Sequence, residues 1–99
     1  MSKYNISLLA QDDIRVIYSF IAKDSTQNAD RVLAKLIEQF KSLAETPGLG
    51  HTRRELDDDT LRVISVYSYL VIYDPARRPL EIVRVIHGAM ELGKAFKGE

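Results

Sequence analysis

Apolar residues recur along this chain at two spacings, and the change from one to the other divides it near its middle. Tyr4, Ile6 and Leu8 alternate with Asn5 and Ser7, which predicts a half-buried first strand over Lys3–Leu9. Ile14, Ile17, Tyr18 and Ile21 then fall at helical spacing and predict a helix over Ala10–Lys23. Asp12 and Asp13 sit where a first turn favours carboxylates facing the positive end of the helix dipole. The polar run Asp24-Ser25-Thr26-Gln27-Asn28 holds capping residues able to close one helix and open another, so a helical hairpin follows.

The second helix has the most regular periodicity of the sequence. Ala29, Val32, Leu33, Leu36, Ile37, Phe40, Leu43 and Ala44 follow the i, i+3, i+4, i+7 template, and Asp30, Arg31, Lys35, Glu38 and Lys41 form a solvated outer face. Pro47-Gly48-Leu49-Gly50 stops the helix, since proline lacks an N–H donor and glycine tolerates positive φ. His51 to Thr60 is polar and reads as a loop.

From Leu61 the pattern becomes that of strands. Leu61–Val66 and Tyr69–Tyr73 are separated only by Tyr67-Ser68, which predicts a tight hairpin lacking the usual Asn-Gly turn chemistry. A two-residue turn pairs Val66 with Tyr69, Ile64 with Val71 and Arg62 with Tyr73, placing Arg62 against an aromatic ring. Asp74-Pro75-Ala76-Arg77-Arg78-Pro79 is a second turn. Leu80 to Gly88 is then apolar on both faces, as in a central strand covered on both sides. Alternation there groups Ile82, Arg84 and Ile86 on one face and Val83, Val85 and His87 on the other. Met90 to Phe96 has the composition of one or two helical turns. The fold class is α+β, in the order β-α-α-β-β-β, with the N-terminal strand and helical hairpin packed on a mostly antiparallel four-stranded sheet.

Composition narrows the function classes. At 99 residues the chain is a single domain over 1–99, with 45% hydrophobic and 28% charged residues, as in a globular protein. Lys plus Arg and Asp plus Glu both number 14, which argues against a protein that grips nucleic acid by general charge, because phosphate contacts demand a basic excess. No direct nucleic-acid binding is expected. The absence of cysteine removes disulfides and thiolate chemistry. No signal-peptide core or long apolar run occurs, and the expectation is a soluble cytoplasmic protein without membrane contact.

Chemical motifs are sparse. His51 and His87 are the only imidazoles and have no clustered carboxylate partners, so no metal site is expected. Ser65 and Ser68 lack a nucleophile elbow, and Gly48 and Gly50 follow a helix where a phosphate loop would open one. No cofactor is implied.

Four pieces in sequence carry a resemblance. They are Leu-x-x-Asp-Asp-Ile-x-x-Ile-Tyr-x-Phe-Ile in the first helix, Pro-Gly-Leu-Gly-x-x-Arg-Arg-Glu-Leu after the second, Leu-Arg-Val before the Tyr-x-x-x-Tyr strand, and Arg-Val-Ile-His-Gly-Ala. In this order, from about Ile6 to Leu92, they resemble the ParE toxins of the RelE/ParE superfamily. The resemblance implies the toxin of a type II toxin–antitoxin (plasmid stabilisation) system, a non-catalytic inhibitor of bacterial DNA gyrase that blocks replication. It implies a ParD-like antitoxin held in a hetero-oligomer. Ile17, Phe20 and Leu36 are the apolar positions on the hairpin assigned to the antitoxin. Arg77, Arg78, Met90 and Phe96 are assigned to gyrase on accessibility.

The other branch of the superfamily supplies the alternative, a RelE-like ribosome-dependent mRNA endoribonuclease. Arg53, Arg62 and Arg84 would then stabilise phosphate charge and His87 would move protons. Against it stands the lack of a tyrosine near the C-terminus, the last being Tyr73. The structural alternative for Arg62 and Arg84 is ion pairing with Glu55, Asp57, Asp58 or Asp59, and for His87 a hydrogen-bonded core position. A toxin-like interaction module without activity is the third class.

Overall fold

The computed structural model describes residues 3–88. Met90 and Phe96, with the helical turns expected around them, lie outside the described residues. The elements run β1 (Tyr4–Ile6), α1 (Leu8–Ala22), α2 (Thr26–Glu45), β2 (Arg62–Val66), β3 (Tyr69–Asp74) and β4 (Leu80–His87). Two helices pack on a four-stranded sheet of order β1-β4-β3-β2, in which β1 joins β4 in parallel and the other pairings are antiparallel. This is the α+β arrangement read from the sequence, with β4 in the interior of the sheet.

The first strand is shorter than its alternation suggests. Ser7 ends it by capping α1: its hydroxyl accepts from Ala10 N at 3.0 Å and donates to Val83 O at 2.8 Å. Leu8 is therefore the first helical residue and is 83% exposed, where alternation placed it inside. With α1 beginning at Leu8, Asp12 and Asp13 fall in its second turn and not beside the free N–H groups. Ser25 caps α2 in the same manner, accepting from Asn28 N at 3.0 Å.

The hairpin register is the one predicted, with Val66 opposite Tyr69, Ile64 opposite Val71 and Arg62 opposite Tyr73. Its turn places Tyr67 at φ 54°, the left-handed region that disfavours a Cβ. β4 departs from simple alternation. Arg84 pairs with Ile72 and Ile82 with Tyr73, leaving Val83 as an extra residue in a β-bulge. Ile82 and Val85 consequently join the helix-side core, while Ile86, with Val83 packed against its cluster, joins the other face. The sequence grouping of Ile82 with Ile86 is thereby corrected.

Both faces of the sheet are covered, as the doubly apolar β4 requires. Leu36, Phe40 and Leu43 of α2 with Ala10 of α1 cover Val71, Tyr73, Ile82 and Val85. On the opposite face the polar segment after Gly50 contributes more than a loop: Leu56, in a short 3-10 turn, and Leu61 bury against Val63, Leu70, Ile72 and Ile86.

Tyr73 anchors the Pro-Gly-Leu-Gly turn to the sheet. Its buried hydroxyl donates to Pro47 O and accepts from Gly50 N, both at 2.7 Å. A Cβ on Gly50 would stand 2.6 Å from that oxygen, so only glycine allows the approach. Burial raises the Tyr73 phenol above its ordinary value.

Candidate functional site

The two arginines singled out on the strands have different fates. Arg84 meets Asp13 of α1 in a bidentate pair, Nε to Oδ2 at 2.8 Å and an Nη to Oδ1 at 2.9 Å. The same carboxylate accepts from Val85 N at 2.9 Å. Both side chains are largely shielded, at 21% and 14% exposure, and the hydrogen bonds to Asp13 raise the Arg84 pKa. Asp13 is thus the partner, in place of the acidic residues between Glu55 and Asp59. Among the described residues Arg62 takes no carboxylate: its guanidinium donates to Gly50 O at 2.8 Å and steadies the loop that Tyr73 holds. Asp58 instead accepts from Thr60, and those hydrogen bonds lower its pKa.

Of the residues of the nuclease alternative, Arg62 and Arg84 lie within one pairing level of each other, but His87 is distant from Arg62. Arg62 pairs with Tyr73 at one end of the sheet, whereas His87 pairs with Tyr69, itself opposite Val66, at the other. Four residues of strand, about 13 Å, separate those levels. His87 is exposed and stacks edge-on against Tyr69 with ring centroids 5.5 Å apart, where a core position was the expectation. Arg53 lies exposed on the loop before the 3-10 turn. Among the described residues no three histidine, aspartate or glutamate side chains gather as metal ligands.

The helical hairpin presents its contact positions unequally. Ile17 and Leu36 face the seam between α1 and α2, together with Ile14, Tyr18, Ile21 and Val32. Leu36 is only 1% exposed, so it belongs to the core and is no docking surface. The i, i+4 pattern identified it as apolar but did not show which side of α2 meets the sheet. Phe20, by contrast, is 69% exposed. Leu9 and Val16 share its side of α1 at 62% and 61%, two positions that the sequence reading passed over because they fall outside the buried stripe. A shallow groove of about 330 Å³ runs beside them, bounded by Asp12, Arg15, Val16, Ser19, Phe20 and Lys23. Within it Arg15 and Asp12 form an exposed pair at 3.1 Å. On the flank, Tyr18 donates to Asp30 Oδ1 at 2.6 Å and ties α1 to α2; that hydrogen bond raises the phenol pKa.

At the sheet ends, Arg77 and Arg78 are exposed on the β3–β4 turn. Arg77 stands near Asp74 and Glu81 at 3.7 and 3.8 Å, and Arg78 donates to Pro75 O and to the Arg77 carbonyl. At the opposite end, Tyr67 projects from the β2–β3 turn at 60% exposure. Among the described residues no helix is long and apolar enough to cross a membrane.

Comparison with curated proteins gives no match. Among solved structures, one described as a chromosomal ParDE TA system from P. aeruginosa superposes with a TM-score of 0.69 at 16% identity. It covers 85% of this chain and 92% of that chain, a likeness of fold. The family model for the ParE toxin of the type II toxin-antitoxin system parDE matches residues 4–92. That span takes in both helices, every strand and the Pro-Gly-Leu-Gly turn, and by it the chain belongs to the ParE family of toxins of type II toxin–antitoxin systems.

Proposed function

We propose that this ParE-family toxin acts by inhibiting bacterial DNA gyrase, without catalysis of its own, and that a ParD-like antitoxin neutralises it in a hetero-oligomer. The observation that carries the choice over mRNA cleavage is the engagement of Arg84 by Asp13. A phosphate would have to displace a shielded bidentate carboxylate, and the imidazole of His87 stands about 13 Å along the sheet from the level of Arg62. Cleavage of RNA needs cation and proton-transfer groups at one phosphate.

The antitoxin is assigned to the outward side of α1, with Phe20 as the apolar anchor and Ile17 at the edge of the seam behind it. Gyrase is assigned to surfaces away from that helix, with Arg77 and Arg78 on the β3–β4 turn. The exposed, strained Tyr67 at the other turn is a second gyrase contact, since an aromatic side chain held at positive φ in solvent has no packing role. Two assays run side by side test the reading: supercoiling by purified gyrase, and primer extension of mRNA on translating ribosomes. The expected result is loss of supercoiling with intact mRNA. Intact supercoiling at excess toxin together with cleavage at codon positions would overturn it.

A further inference from the structure

Helix α1 carries four of the six large hydrophobic residues exposed among the described residues: Leu8, Leu9, Val16 and Phe20. Its outward ridge is built from Asp12, Val16, Ser19 and Lys23. At 100° per residue these four lie within about 60° of one another and roughly opposite Ala10 and Ile21, which face the core and the α2 seam. The ridge therefore points directly away from the protein body, where a second helix can lie against it.

Its charges are arranged with opposite signs at the two ends, Asp12 near the start and Lys23 just past the end. Reversal of the helix about the midpoint between Ile17 and Tyr18 exchanges Asp12 with Lys23, Arg15 with Phe20 and Val16 with Ser19. We propose that two copies of this chain associate through α1, antiparallel about a two-fold axis at that midpoint. Asp12 then meets the other copy's Lys23 twice, Val16 packs beside the other copy's Ser19, and the two-fold sets the two Phe20 side chains together on one flank and the two Arg15 side chains, each paired with its own Asp12, on the other. A parallel copy would set like charges together. Serine in the middle of the ridge lets the helices approach.

The contact is weak. A single pair of 15-residue helices, each about 22 Å long, buries less than a standard stable interface. The same Phe20 serves the antitoxin in the reading above, so self-association and neutralisation compete for one face.

Sedimentation velocity of the full chain, from about 5 μM to about 500 μM, tests this across the range of weak association. The weight-average mass should rise from 11.3 kDa toward twice that value with concentration. Phe20→Asp should remain monomeric throughout, and Val16→Lys should do the same. Asp12→Lys and Lys23→Asp should each weaken the dimer about tenfold, because two opposed pairs become two like-charged ones. The combined charge swap should recover most of that loss. Unchanged circular dichroism of each variant secures the comparison. A constant mass of 11.3 kDa overturns the proposal, as does a dimer indifferent to Phe20→Asp or a double swap no tighter than the singles. The measurement contains neither gyrase nor antitoxin, so its failure leaves the gyrase reading standing.

Discussion

The two helices have nearly the same layer to fill and use their outer faces in opposite ways. Helix α2 places Ala29, Leu36, Phe40 and Leu43 inward and Asp30, Arg31, Glu38 and Lys41 outward, the division a helix needs if its only task is to cover a sheet. Helix α1 buries Ala10 and packs Ile14 and Ile17 against the core, yet it also sends Leu9, Val16 and Phe20 into solvent. The outward residues contribute nothing to the fold of the isolated chain. Apolar surface kept on one helix when its neighbour shows how to avoid it is the mark of a binding face.

The comparison breaks most visibly at two phenylalanines. Phe40 is fully buried on α2, where its ring meets Tyr4 edge-on at 5.6 Å, and Phe40→Ala should lower unfolding stability by about 3–5 kcal/mol in urea titrations. Phe20→Ala on α1 should change it by less than about 0.5 kcal/mol. A similar cost at both sites would mean that α1's outer face is structural.

Two adjacent carboxylates sharpen the point at smaller scale. Asp13→Ala leaves Arg84 without its shielded bidentate partner and Val85 N without an acceptor, and should cost about 2–4 kcal/mol. Asp12→Ala removes only an exposed pair with Arg15 and should stay within about 0.5 kcal/mol. Asp13 thus fastens α1 to β4, while Asp12, the residue before it, stays exposed in its pair with Arg15.

The smallest effect concerns pH. Tyr73 has a pKa raised above its ordinary value of 10.0, so the folded chain holds that proton more tightly than the unfolded one. Its contribution to stability is complete below pH 10.0 and is lost as the pH rises through the higher folded-state value. Tyr73→Phe, though less stable at neutral pH for want of two hydrogen bonds, should show a shallower decline in that alkaline window when unfolding is followed at successive pH values.

Local patterns made α2 and the β2–β3 hairpin legible. The 3.6-residue period persists through Leu36, Phe40 and Leu43, and only two residues separate the strand runs, so the register from Arg62–Tyr73 to Val66–Tyr69 had one solution. Ser7 was hidden because Leu8 continued the alternation by chance; a serine directly before Leu-Leu-Ala-Gln, all good helix formers, was the available signal. The Asp13–Arg84 pair spans 71 positions and the Val83 bulge answers to β3, so neither leaves a local trace. For the same reason the nuclease candidates looked plausible together in sequence: Arg62, Arg84 and His87 lie on strands of one sheet, but register and pairing decide whether they converge. Phe20 is exposed and Leu36 is buried, a difference hidden from the sequence because periodicity marks an apolar stripe without saying what covers it.

The difference between the helices is tested most directly by the affinity of the antitoxin for two toxin variants, measured by titration calorimetry. Phe20→Asp on α1 should weaken binding by about a hundredfold, as loss of a central apolar anchor does, while Arg31→Asp on the outer face of α2 should leave it within about threefold of the unaltered toxin. Equal affinities for the two variants, or a larger loss at Arg31, would contradict the assignment of α1 as the working face.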